Sequence, residues 1–209
     1  MTGVDVMSRM NSVDAIDERG HRPDETDRLA RSVEYPEVDV LLTNRPLTRA
    51  EAELLHEELK STPNILGYTV AELLRFTDLF VAEIEGAFAG ACISKRLLFG
   101  WTDIAVLYIL PRFRGRRLGK RLYTAAWQQA QRNRRHIFTM SRSPEVIHLM
   151  EQFGMAISRS MLKAPLAVHL HMNRHMMSLY RNQEAIRKAN QMPTKNRLVM
   201  GTKRYVGDE

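Results

Sequence analysis

Eighteen residues, Asp103 to Lys120 (DIAVLYILPRFRGRRLGK), restrict the fold more than any other part of the chain. They begin as a strand: Ile104, Val106, Leu107, Tyr108 and Ile109 all favour a pleated surface. Pro111 ends it, because proline has no N–H to give to a ladder. Arg112 to Arg117 form a turn, and Leu118, Leu122, Ala125 and Ala126 then take up helical spacing. Strand, basic glycine-containing turn, helix is an order that sets the free N–H groups of a helix start beside a flexible backbone. Such a start attracts phosphate. Arg112, Arg114, Arg116, Arg117 and Lys120 surround it, as a pyrophosphate cradle would require. The same order also serves as a plain connection in many α/β proteins, and the pattern alone does not choose between the two.

A chain of 209 residues, 44% hydrophobic, is expected to form one domain with appendages. No apolar run approaches the roughly 18 to 20 residues that span a bilayer, and the first thirty residues lack the pattern of a secretory signal. The single cysteine, Cys92, lies between Ala91 and Ile93 and reads as a buried strand residue. It excludes an internal disulfide and fits a reducing compartment, so a cytoplasmic location is expected. Residues 1–60 hold 8 Lys/Arg against 14 Asp/Glu, whereas residues 61–209 hold 23 against 10. From Pro111 to Arg135 there are nine basic residues and no acid. That block attracts coenzyme, nucleic acid or an acidic surface alike.

Residues 1–35, polar and without sustained period, are expected to be a disordered or loosely packed tail, with a domain over 36–209. Within it the spacing predicts a strand at 38–43 and a helix capped by Thr48 and Glu51, with Ala52, Leu54, Leu55 and Leu59 inward. A second short helix follows over 66–76. Strands at 79–85 and 88–95 join through Glu85-Gly86-Ala87. After the central strand and its helix come a parallel strand at 136–141, a helix from Pro144, and strands at 156–162 and 197–206. Residues 165–190 read as one long amphipathic helix, with Leu166, Leu170, Met172 and Met176 on its apolar half.

LYILPRFRGRRLGKRL resembles the acetyl-coenzyme A signature of the GNAT acyltransferase superfamily, in which Arg/Gln-x-x-Gly-x-Gly/Ala follows a strand ending near Val-x-Pro. Arg114 opens the signature and Gly119 closes it, while Arg117 stands at the middle glycine. FVAEIEGAFAGACIS is similar to the superfamily's second and third strands. SPEVIHLMEQFGM resembles its Asn-x-x-Ala-x-x-x-Tyr-x-x-x-Gly-Phe phrase, with Ser143 for Asn and Met150 for Tyr. The resemblance runs from about Val38 to Met155 and makes 165–190 a helical insertion. It implies an α/β (α+β) fold: a mixed, mostly antiparallel sheet of six to seven strands flanked by helices, with two neighbouring strands splayed apart. It further implies acetyl-CoA as cosubstrate, held by Leu107, Tyr108, Ile109, Arg114, Gly115, Arg116, Arg117, Leu118, Gly119, Lys120 and Ser143. The Ile109 amide would serve the thioester oxyanion, and the acceptor would be an amine on a small molecule or protein.

Acyl transfer also needs groups that move protons. Met150 has no proton to give. Asp103 is a candidate base, matched by a reading in which it is an exposed strand-end carboxylate; Glu83 is a weaker candidate. His148 points away from Met150's side of its helix. His171 and His175 stand at i, i+4, a spacing that can chelate a metal, but they read as a solvated pair, and no metal site is expected. Two functions follow. One is an N-acetyltransferase using acetyl-CoA. The other is a binding protein of the same fold without catalysis, whose basic surface holds CoA, nucleic acid or a larger assembly.

Overall fold

The computed structural model describes residues 39–62, 65, 67–176, 183–184, 186–188 and 198–207. The expected tail over 1–35 lies outside them. β1 (Val40–Asn44) leads through Thr48 into α1 (Arg49–Ser61). The anticipated capping box is present: Thr48 Oγ1 accepts from the Glu51 amide, and Glu51 accepts from the Thr48 amide. Arg45 then bonds both oxygens of Glu51 and pairs with Glu83, fastening the helix start to the sheet. Thr48→Ala should lower stability by about 1 kcal/mol in urea denaturation. Ala52, Leu55 and Leu59 face inward, while Leu54 is 40% exposed. The second helix, α2 (Val70–Leu73), is shorter than its apolar residues suggest, a single turn with its own capping box from Thr69 and Glu72.

β2 (Leu79–Ile84) and β3 (Ala87–Arg96) form the predicted hairpin, its turn made by Glu85 and Gly86 at positive φ. β4 (Trp101–Ile109) begins two residues before Asp103, so that carboxylate lies inside the strand and not at its end. α3 (Leu118–Arg132), β5 (His136–Ser141) and α4 (Pro144–Gln152) follow as spaced in the sequence. β6 is only Ala156–Ser158, because the chain turns into a 3₁₀ element at Met161–Lys163. α5 (Leu166–Met176) and β7 (Val199–Lys203) complete the described elements. No helix among the described residues is long and apolar enough to cross a membrane.

The seven strands make one sheet in the order β1-β2-β3-β4-β5-β7-β6. Only β4 and β5 run parallel, as a helical crossover between them requires. α3 and α4 cover one face, packing Leu118, Leu122, Tyr123, Ala126, Leu149 and Met150 on Cys92 and Ile104. The other face carries α1 and α2 over Val81, Ala91, Val106 and Tyr108. Beside them α5 lies on Trp101, Phe138 and Met200.

The phase of α5 differs from the sequence reading. Ala167 and Val168 are buried, and Leu166 and Leu170 are 63% and 42% exposed. Small residues let the helix sit close to the large Trp101 and Phe138 rings, so side-chain size across the interface sets the phase. Residues 177–182, within the expected long helix, lie outside the described residues. Beyond them Lys188 is fully buried, its ammonium bonded to the Leu59 and Ile65 carbonyls at 2.6 Å each and paired with Glu184. The end of the insertion is thereby tied to the end of α1.

Candidate active site

β4 and β5 pair only at Trp101–His136, Thr102–Ile137 and Asp103–Phe138. Beyond Asp103, β4 continues to Ile109 while β5 pairs with β7, and a wedge opens between them. Two features open it at this point. Below it the strands are clamped: Arg135 bonds Thr102 Oγ1 at 2.8 Å and the Leu97 carbonyl at 2.9 Å, and the His136 amide bonds the Gly100 carbonyl. Just above it β4 bulges at Ala105, since Ile93 pairs with Val106 and Ser94 with Ile104. A bulge bends the strand that carries it.

The Leu110 amide bonds the Ala89 carbonyl on β3. Amide direction alternates along a strand, so the N–H groups of Leu107 and Ile109 point to the opposite edge, into the wedge. Their side chains lie on the α3 face. Tyr108 takes the other face, where its hydroxyl donates to Glu58 Oε2 at 2.5 Å. Burial, and then the Glu58 carboxylate, raise the pKa of that phenol.

At the wedge mouth, a 3₁₀ turn at Pro111–Phe113 leads to Gly115 at φ +81° and Arg117 at φ +57°. Arg117 is the N-cap of α3 and makes no side-chain cap bond, so the first-turn amides at Leu118, Gly119 and Lys120 have no cap to receive them. Arginine in the left-handed region costs about 1 kcal/mol or more. A Cβ added at Gly115 would meet nothing within 4 Å, so the turn's backbone is open to an approaching group. Arg116, Arg117 and Lys120 are exposed around it, while the Leu118 side chain is core. These features suit a diphosphate. Arg114 instead folds back, donating to the Ile109 carbonyl at 3.2 Å and reaching the Tyr108 hydroxyl at 3.5 Å. Ser143, the N-cap of α4, donates to Glu145, and this bond holds the Glu145 carboxyl below the usual range, with help from the Arg114 charge.

At the closed end of the wedge, Asp103 is buried. Burial pushes its carboxyl up to about 6, against the opposing pull of the Lys95 ammonium. Lys95 is its partner across the β3–β4 pair and bonds the Tyr68 hydroxyl at 2.7 Å. From α5, His171 Nε2 comes within 4.0 Å of Asp103 Oδ2. The expected solvated histidine pair is thus corrected, because the α5 phase turns His171 inward; the side chain of His175 lies outside those described.

The other candidates are placed elsewhere. Glu83 is held by Arg45. His148 is exposed and bonds Gln152. Cys92 is buried in β3, and burial pushes its thiol up to about 12. Met150 is fully buried, its sulfur against Gly201. Among residues that the sequence reading passed over, Tyr123 on α3 is buried, with its hydroxyl 3.2 Å from Thr139 Oγ1 and 3.3 Å from Met155 sulfur. Glu58, Lys95 and Tyr123 left no signal beyond ordinary helix or strand positions.

A sequence profile of the acetyltransferase (GNAT) family matches residues 47–155. No curated protein matches the chain. Among solved structures, it is similar to N-acetylglutamate synthase from Neisseria gonorrhoeae complexed with coenzyme A and N-acetyl-glutamate, at TM-score 0.58 and 14% identity. That likeness covers 82% of this chain but only 36% of the synthase. Rv2747 from Mycobacterium tuberculosis, in complex with CoA and NLQ, has TM-score 0.57 and 12% identity over 77% of this chain and 97% of its own. A diaminobutyrate acetyltransferase from Paenibacillus lautus, with its substrate and coenzyme A, has TM-score 0.52 and 13% identity, covering 82% and 99%.

Proposed function

The chain belongs to the acetyltransferase (GNAT) family, and on that premise we propose that it moves an acetyl group from acetyl-CoA to an amine. The observation that carries this reading is the wedge beyond Asp103 and Phe138, opening beside an uncapped, basic helix start. Acetyl-CoA supplies the activated acyl group as a thioester. The amides of Gly115 to Lys120, with Arg116, Arg117 and Lys120, bind its diphosphate. Arg114 orients this end of the site by fixing the Ile109 carbonyl, and Ser143, the N-cap of α4, is the remaining candidate contact. The Leu107 and Ile109 amides point where a thioester carbonyl gains negative charge, and a fixed N–H there stabilises the oxyanion. Cys92 has no part as a nucleophile, so the amine attacks the thioester directly. Asp103, buried at the closed end, marks the side of the wedge on which that amine would lose its proton.

Isothermal calorimetry with acetyl-CoA, CoA and duplex RNA tests the reading. Heat from both coenzymes and none from RNA supports it; heat from RNA alone, falling steeply with salt, favours a nucleic-acid-binding protein. The buried Met150, which leaves the family's usual acid position without a proton donor, gives specific weight to a non-catalytic receptor. Thiol release from acetyl-CoA with a panel of amines separates enzyme from receptor. Replacing both Arg116 and Lys120 by Gln should weaken coenzyme binding by about tenfold or more, since each removes a charge-assisted phosphate contact.

A further inference from the structure

Resting on the acyl-transfer reading, we propose that His171 accepts the proton of the acceptor amine, with Asp103 as the positioning residue that holds its imidazole. His171 comes from α5, beyond the span 47–155 matched by the family profile, so this chain adds the group from its own insertion. The location fits the task. Asp103 is the last β4 residue paired with β5, and His171 reaches it from the face opposite α3. The carboxylate lies deeper, with its side chain 12% exposed against 20% for His171, so the imidazole is the member nearer to an incoming amine.

Lys95 and Tyr123 also couple to the charge of Asp103. Lys95 of β3 acts on Asp103 through its charge, but its ammonium bonds the Tyr68 hydroxyl and lies 4.5 Å from the Tyr68 ring centre. The Tyr123 hydroxyl of α3 feels the Asp103 charge from the other face of the sheet and is bonded to Thr139. With a carboxyl value of about 6, Asp103 is mostly ionised at neutral pH and supplies the negative charge that favours an imidazolium.

The acceptor ammonium gives one N–H proton to the His171 ring nitrogen and becomes a free amine. Its lone pair forms the C–N bond at the thioester carbon, and the carbonyl electron pair moves to oxygen, facing the Leu107 amide, the wedge-facing donor nearer to Asp103. When the C–O double bond re-forms, the C–S bond breaks and its pair leaves on sulfur. The second amine proton passes to that thiolate, giving amide and free thiol. His171 then returns its proton to solvent.

The test uses the full chain, with the histidine ring signals followed by NMR from about pH 5 to 9. Asp103→Asn should move the His171 titration midpoint down by about one pH unit, with the circular dichroism of the wild type. His171→Gln should cut thiol release with a responsive amine by about a hundredfold or more. It should also remove the acid limb of the pH–rate profile and leave calorimetric CoA affinity unchanged. An unmoved His171 titration in the Asp103→Asn variant, or a wild-type pH profile in the His171→Gln variant, overturns the assignment. If the wild type releases no thiol with any amine, the acyl-transfer reading falls and the base with it. Wild-type turnover with an unmoved histidine overturns the base alone.

Discussion

Gly90→Ala is expected to destabilise the fold by about 3 kcal/mol or more, and to remove coenzyme binding from whatever fraction still folds. Gly90 lies in β3 opposite Ile109 of β4. A Cβ there would overlap the Tyr108 carbonyl oxygen outright and stand 2.8 Å from Ile109 Cδ1. A flexible side-chain tip could yield, but a backbone carbonyl cannot without opening the ladder. The surroundings leave little room to adjust, since β3 has just passed a bulge at Ala82/Glu83 and the next ladder bond, Leu110 amide to Ala89 carbonyl, fixes the strand end. Relief would have to push Tyr108 and Ile109 toward the wedge. That would turn the Ile109 amide and displace the Arg114 side chain that bonds the Ile109 carbonyl. Urea unfolding and calorimetry with CoA read the two effects separately. Wild-type stability in this variant would show that β3 and β4 can part locally to admit the methyl group.

The reason Gly90 can be singled out in the sequence at all is its place after an acidic-glycine turn, within a phrase similar to the family's second and third strands. Much of the scaffold was legible in the same way. Alternation, glycine turns and capping boxes are local signals, and they placed β2, β3, β5, α1, α3 and α4 within a few residues. The wedge was expected only through resemblance; its physical causes, the Arg135 clamp and the Ala105 bulge, join residues that no local window connects. The face covered by α5 was largely illegible. On α5, Leu166 and Leu170 look like the buried stripe, yet Ala167 and Val168 take the interface because Trp101 and Phe138 already fill the space. That one error of phase put His171 on the wrong side of its helix and hid its approach to Asp103. Tyr108 was hidden differently. It sits between two residues whose amides enter the wedge, but the strand's alternation turns its side chain to Glu58.

Asp103→Asn should stabilise the protein at about pH 8 by up to about 3 kcal/mol, while slowing turnover. The carboxyl has an ordinary value of 3.8 and is pushed up to about 6 by burial in the fold. Between those values the folded chain binds more protons than the unfolded one, so stability falls as pH rises. The contribution of the protonated acid is fully present below 3.8 and is lost as pH rises through about 6. A separation of about two pH units at about 1.4 kcal/mol each gives the magnitude. Asparagine occupies the same space without the charge, so the variant should lose this pH dependence, and its advantage should be small near pH 4 and full near pH 8. The upper value is the relevant one for comparison, because the carboxyl is then ionised and the fold bears the whole cost of its burial. Urea midpoints at several pH values give the curve directly. A variant less stable than the wild type at pH 8 would mean that Lys95 and His171 more than compensate the buried charge, making Asp103 a structural anchor. The expected result marks the opposite: a carboxylate retained against the interest of the fold, as groups kept for chemistry often are.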